Sequence, residues 1–247
     1  MDIKIRAFGA AIIGGIPHRP ENSFFHLATE RLRQETGHHI VSSIHMLGAL
    51  PVPRALTQVS SRCLVGEPNI VVLQFGSSDL TVPLRNKRQQ WSEAALSSLA
   101  ARTRLAHPAN LMHTLRWRVR GLIGDALKLK PVTAPEVYLG AMDYLIRAVA
   151  ARGAIPIVLS PFVLGSQRSN RIARHCVPAL GKLVAAVPNA YYVEVFSTLE
   201  QFPRREILLR DGRFLTIPGQ VVVAESLFTV LGRVLEEQKE ALGVGCT

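Results

Sequence analysis

The side chains of this 247-residue chain that are equipped for acyl chemistry sit in short segments rich in glycine, serine and aspartate. Gly76-Ser77-Ser78-Asp79 offers two hydroxyls and a carboxylate within four residues, and His18 and His45 place imidazoles beside the ends of two apolar runs. A serine hydroxyl attacks poorly until a base takes its proton, and the base works best when a carboxylate orients it. Ser77 or Ser78 as nucleophile, His18 or His45 as base, and Asp79 or Asp211 as orienter would satisfy that requirement on one edge of a fold. The plainer reading, which the sequence favours, is that Ser77 and Ser78 hydrogen-bond their own turn, His45 packs within a strand and His18 is a solvated loop residue.

Other chemistries find less support. His38-His39 are adjacent, so on an extended backbone their rings point to opposite faces and do not chelate one ion; a surface turn at a helix end is expected there. The stretch Gly9 to Gly15 is glycine-rich but fits neither GxxxxGK[ST] nor GxGxxG. Cys63, Cys176 and Cys246 are odd in number and lack CxxC spacing, which argues against a disulfide framework and a thiolate zinc site and for a reducing compartment. No cofactor and no metal are expected.

Positioning such residues requires a scaffold, and the pattern supplies one. β-rich runs at Ile3–Phe8, Ile40–Met46, Ile70–Phe75, Ile155–Ser160 and Tyr191–Phe196 alternate with helical spacings at Glu21–Glu35, Val52–Val65, Pro135–Arg152, Gln167–Ala186 and Pro218–Glu240. That alternation predicts an α/β fold, a doubly wound, mostly parallel sheet of about five strands. The runs Val71-Val72-Leu73 and Ile155 to Leu159 are apolar without a break, as expected of central strands covered on both faces. In the last helix Val221, Val222, Ala224, Leu227, Phe228, Leu231 and Leu235 recur at spacings of three and four, predicting a buried stripe with Glu236, Glu237 and Lys239 on the solvent side. In such a sheet ligands meet the loops that leave the carboxyl ends of the strands.

Hydrophobic residues make up 48% of the chain, so dominant disorder is excluded. The N-terminus alternates charged and apolar residues like a first strand rather than a leader, and no run approaches the ~20 apolar residues of a membrane span, so a cytoplasmic location is expected. The net charge is +11, and much of it is local. From Arg85 to Lys130 there are ten Lys and Arg against only Glu93 and Asp125. This stretch is read as a basic helical insertion of a single 1–247 domain. Arg116, Arg118 and Arg120 around Trp117 could stack on and neutralise an anionic partner, although none of this is a nucleic-acid motif and nucleic acid is not favoured. Arg168, Arg171 and Arg174, spaced by three, could line a helical edge towards an anionic or sugar ligand; a solvated face is the commoner meaning of that spacing.

The order of the loop segments resembles the SGNH, or GDSL-type, hydrolase family. Gly9-Ala10-Ala11-Ile12 stands where the family has Gly-Asp-Ser-Leu, Gly48 where it has a lone glycine, Gly76-Ser77-Ser78-Asp79 where it has Gly-x-Asn-Asp, and Asp211-Gly212-Arg213-Phe214 where it has Asp-x-x-His. The resemblance runs from Ile3 to about Glu236. It implies a flavodoxin-like three-layer α/β/α sandwich and an ancestral activity on acyl or acetyl esters of small molecules or carbohydrates. It also implies a nucleophile position at Ala11, a base position at Phe214, an orienting acid at Asp211, and oxyanion donors at Gly48 and Ser78. Alanine carries no nucleophile and phenylalanine takes no proton. Ala11, Ser78 and Phe214 depart from the pattern together, which fits natural divergence better than a one-residue knockout. The expectation is therefore an ester-binding fold, catalytically impaired or inactive, with Ser77 or Ser78 as a relocated nucleophile and a basic anion-binding module as the alternatives. Asp211 reads equally as a remnant of the site or as a turn-forming Asp-Gly.

Overall fold

Five parallel strands in the order β2-β1-β3-β4-β5 form the centre of the molecule, seen in a computed structural model that describes residues 2–48, 50–62, 65–82, 130–162, 166–210 and 212–241. They are β1 (Ile3–Gly9), β2 (Ile40–Met46), β3 (Ile70–Gln74), β4 (Ile155–Leu159) and β5 (Tyr191–Val193). The helices, numbered over the described residues, are α1 (Phe24–Thr36), α2 (Val52–Arg62), α3 (Pro135–Ala150), α4 (Gln167–Ala185), α5 (Phe196–Glu200), α6 (Arg204–Ile207) and α7 (Ile217–Ala241). α1 packs with α7, and α2 and α4 both pack with α3. The predicted flavodoxin-like α/β architecture is what the chain adopts.

Local chemistry explains the boundaries. Ser23 caps α1 by accepting from the His26 N–H at 3.1 Å, and Gly37, at φ 66°, ends the helix in the left-handed conformation that glycine adopts most easily. Ser166 caps α4 in the same way, accepting from Ser169 N–H at 3.2 Å. All five residues of β3 are buried, as its unbroken apolar run requires.

Two expectations need correction. The fifth strand stops at Val193, because the Ser160 hydroxyl accepts from the N–H groups of Val195 and Phe196 at 2.9 and 3.0 Å and turns the chain into α5. Val221 lies outside the buried stripe of α7, with 43% of its surface exposed, while Val223, Leu227, Leu231 and Val234 are buried. By length and composition alone Ile217–Glu240 could cross a membrane, with a mean hydropathy of 1.2. A buried stripe within it belongs to the core. The insertion at Arg85–Lys130 lies outside the described residues but for Lys130.

Candidate functional site

The strand order reverses between β1 and β3, since β1 is followed by β2 on one side and β3 on the other. The chains leaving the carboxyl ends of those two strands lead to helices on opposite faces of the sheet, and in open α/β sheets this switch point is where ligands bind. The Ala10 N–H donates to the Gln74 carbonyl at 3.2 Å, so the segment after β1 lies directly against the end of β3. Gly9 permits this: a Cβ there would collide with the Gln74 carbonyl. Ala11 then opens a short 3-10 turn, Ala11–Gly14, and is half-buried. Its side chain is a single methyl group and offers no hydroxyl.

The loop after β2 brings Gly48 to the same edge. Its φ of 63° is a left-handed conformation suited to glycine, and among the described residues its N–H has no acceptor. The loop after β3 brings Ser77, Ser78 and Asp79. Ser77 is buried and its hydroxyl receives the Gln74 amide Nε2–H at 3.4 Å, whereas Ser78 is half-buried with no side-chain hydrogen bond among the described residues.

Asp79 joins these loops into one unit. Only 1% exposed, its Oδ1 accepts from the Val52 N–H at 2.8 Å and from the Thr133 hydroxyl at 3.2 Å, and its Oδ2 accepts from the Gly76 N–H at 3.3 Å. One carboxylate therefore holds the first turn of α2, the turn after β3 and the strand of chain leading into α3. Burial pushes its pKa up to about 6, and the hydrogen bonds from Val52, Thr133 and Gly76 hold it below where burial alone would leave it. Its role is structural support of the loops that carry Gly48 and Ser78. The Tyr138 hydroxyl, fully buried near Gly76 and Pro161, lacks a hydrogen-bond partner among the described residues and is held well above the usual phenol range by burial and by Asp79.

The fourth segment comes from the other end of the chain. Leu208 and Leu215 form an antiparallel bridge, and the Leu209 N–H donates to the Phe214 carbonyl at 2.8 Å. Phe214 is half-buried, packs against the core and has the Arg213 guanidinium 5.7 Å from its ring centre. Asp211 lies outside the described residues. His18 reaches this segment: its Nε2 is 3.0 Å from the Leu215 carbonyl oxygen. His45 stays in its strand, its ring stacked on Phe8 at 4.9 Å between centroids. His39 meets Asp2 on the surface at 3.0 Å. The described residues contain no cluster of metal-ligating side chains.

Thus the structure brings Ala11, Gly48, Ser77, Ser78, Asp79, His18 and Phe214 to the carboxyl edge of the sheet. It does not join Ser77 to an imidazole: among the described residues the Ser77 side chain makes one hydrogen bond, accepting from the Gln74 amide. Sequence reasoning missed Gln74, Ser160 and Gln220. Gln220 is fully buried and accepts from the first N–H of α1, at Phe24, at 2.9 Å. Gln74 did leave a signal, as a polar residue ending the run Ile-Val-Val-Leu, and Gln220 left none.

No family model matches the sequence, and no curated protein matches it. Solved structures do match over nearly the whole chain. A lipase/acylhydrolase from Enterococcus faecalis aligns with a TM-score of 0.63 at 15% identity, over 94% of this chain and 96% of that one. A protein assigned to the G-D-S-L family from Desulfitobacterium hafniense gives 0.57 at 12%, over 92% and 98%. The acetyl xylan esterase AlAXEase gives 0.61 at 13%, over 92% and 99%. The chain has the fold of GDSL-type esterases and acylhydrolases.

Proposed function

We propose that the cleft between the β1 and β3 loops binds an ester of a small molecule or carbohydrate and does not turn it over by serine acyl transfer. The observation that carries this is that Ala11, in the turn after β1, and Phe214, in the segment bridged to Leu208, carry neither the hydroxyl nor the imidazole that attack and proton removal would require. The Gly48 N–H and the Ser78 hydroxyl supply two donors suited to an ester carbonyl or a developing oxyanion. Such donors, with binding, leave a residual acceleration of roughly 10³ to 10⁴ over water when a triad is dismantled. The similarity to esterases in fold and in the order of the loop segments supports an ester as the ligand. An intracellular setting, without disulfides, is part of the same reading.

A second reading has one observation in its favour. His18 holds its ring beside Leu215, the residue after Phe214, so an imidazole stands near the vacated base position. In that reading Ser78 or Ser77 attacks and His18 takes the proton. Incubation of the intact chain with a fluorophosphonate, followed by peptide mass spectrometry, separates the two. The proposal expects no adduct on any serine; stoichiometric labelling of Ser77 or Ser78, lost in H18A, would replace it with the relocated esterase.

A further inference from the structure

The two edges of the sheet are finished differently. β5 is only three residues long and is followed directly by Glu194, and its tyrosines reach over the helices: the Tyr191 hydroxyl donates to Glu237 of α7 and the Tyr192 hydroxyl to the Val177 carbonyl of α4 at 3.0 Å. Shortness, charge and side-chain cover keep a sheet edge from pairing with another chain. β2, at the opposite edge, runs for seven residues, Ile40-Val41-Ser42-Ser43-Ile44-His45-Met46, without proline, lysine, arginine, aspartate or glutamate. Its register with β1 is unbroken, from Ile3 opposite Ile40 to Gly9 opposite Met46, so no bulge turns this edge away. Val41 and Met46 are 45% and 39% exposed.

The ladder with β1 fixes which backbone groups of β2 face outward. The Ile3 N–H donates to the His39 carbonyl at 3.0 Å, and the Leu47 N–H to the Gly9 carbonyl at 2.9 Å. In a parallel pair the bonding direction alternates along the strand, so Val41, Ser43 and His45 bond to β1, while Ser42, Ile44 and Met46 turn their N–H and C=O groups away from it. These outward groups have no partner among the described residues. The row is bounded at both ends: the Arg33 guanidinium donates to the Ile40 carbonyl at 2.9 Å, and Gly48, at φ 63°, leaves the extended conformation. What remains is a window symmetric about Ile44.

We propose that β2 is the docking edge for β2 of a second copy of this chain, paired antiparallel about a two-fold axis at Ile44. In that pairing Ile44 exchanges both hydrogen bonds with Ile44 of the other copy, and Ser42 exchanges both with Met46, so every outward group of the window is used. A window symmetric about one residue is complementary to itself. An uncharged strand also sets no like charges opposite each other, in a chain whose net charge is +11. The described chain stops after Val82 and resumes at Lys130, away from this edge. There the Val82 N–H donates to the Ser169 hydroxyl of α4 at 3.2 Å and the Val132 N–H to the Thr81 carbonyl at 3.0 Å, and α4 joins β4 to β5, which lie across β3 from β2.

Sedimentation velocity of the full chain from about 1 to about 300 μM is the test, with hydrogen–deuterium exchange read over Ile40–Met46 at both ends of that range. Strand pairing alone makes a small interface, so a monomer–dimer equilibrium with a Kd on the order of 10 μM is expected. Exchange at Ser42, Ile44 and Met46 should slow roughly tenfold in the dimer. S42P removes an outward donor without touching the bonds to β1, and should weaken dimerisation roughly tenfold at an unchanged melting temperature. V41K, which sets a lysine on the edge, should act in the same direction without relying on proline. V137K, at a valine of α3 that is 54% exposed, should dimerise as the wild type does. A monomer at every concentration would overturn the proposal, as would a dimer that leaves exchange over Ile40–Met46 unchanged or one lost in V137K and kept in S42P and V41K. Slow exchange of these amides already in the monomer would also overturn it, since another part of the same chain would then cover the edge.

Discussion

His18 Nε2 faces the Leu215 carbonyl oxygen at 3.0 Å and so ties the loop after β1 to a segment 197 residues away. A carbonyl only accepts, so this nitrogen carries the proton and Nδ1 is left as the lone-pair nitrogen. Replacing His18 by alanine removes the donor at a half-buried site and should cost about 1 kcal/mol of unfolding free energy, measured by urea denaturation. Nitrogen-15 NMR of the ring should show Nδ1 unprotonated at pH 8; an Nδ1–H tautomer would contradict the contact.

Asp79 gives the chain an unusual pH dependence. Its pKa is raised from 3.8 to about 6, so the folded state holds its proton more tightly than the unfolded one. The stabilisation is complete below the unfolded value and is lost as pH rises through the folded one. The unfolding free energy of wild type minus that of D79N, which does not titrate, should therefore fall by ~3 kcal/mol between about pH 4 and pH 7. A difference that grows with pH would show the carboxylate to be favoured by its partners over its burial cost.

The Tyr138 hydroxyl is buried without a partner among the described residues, which costs free energy that phenylalanine avoids at nearly the same shape. Y138F should raise stability by about 1 kcal/mol, seen as a higher melting temperature. A loss of stability would mean that the hydroxyl has a hydrogen bond after all.

Gly76 has φ 110°, and a Cβ there would lie 2.9 Å from the Pro161 Cβ and 3.2 Å from the Tyr138 hydroxyl. Both the backbone and the space demand glycine. G76A should cost roughly 2–4 kcal/mol, measured by denaturant titration, and a neutral effect would show that the turn after β3 adjusts freely.

The legibility of this fold in its sequence depended on the range of the interaction. Unbroken apolar runs such as Val71 to Leu73 reported burial on both faces, and the glycines at 9, 48 and 76 marked the turns, because both signals are local. The end of β5 was misplaced because a single serine, Ser160, redirects the chain from 35 residues away. Asp79 read as a possible orienter of a histidine; its partners, Val52 and Thr133, lie 27 and 54 residues off, and no local pattern encodes them. Val221 fitted the helical spacing, yet it is 43% exposed while Val223, Leu227, Leu231 and Val234 face the core. Ala11 and Phe214 were read as nucleophile and base positions only through the resemblance, since an alanine and a phenylalanine announce no chemistry of their own.

In the proposed reading the cleft retains its binding groups and lacks only the attacking hydroxyl and the base. It is tested most directly by the initial rate of p-nitrophenyl acetate hydrolysis by the wild-type chain and by A11S/F214H under identical conditions. The account predicts a wild-type rate within about 10³ to 10⁴ of the uncatalysed reaction and a burst of turnover in the double variant that A11S alone does not give. Wild-type turnover at an ordinary enzymatic rate, on the order of 1 s⁻¹ or faster, would contradict it.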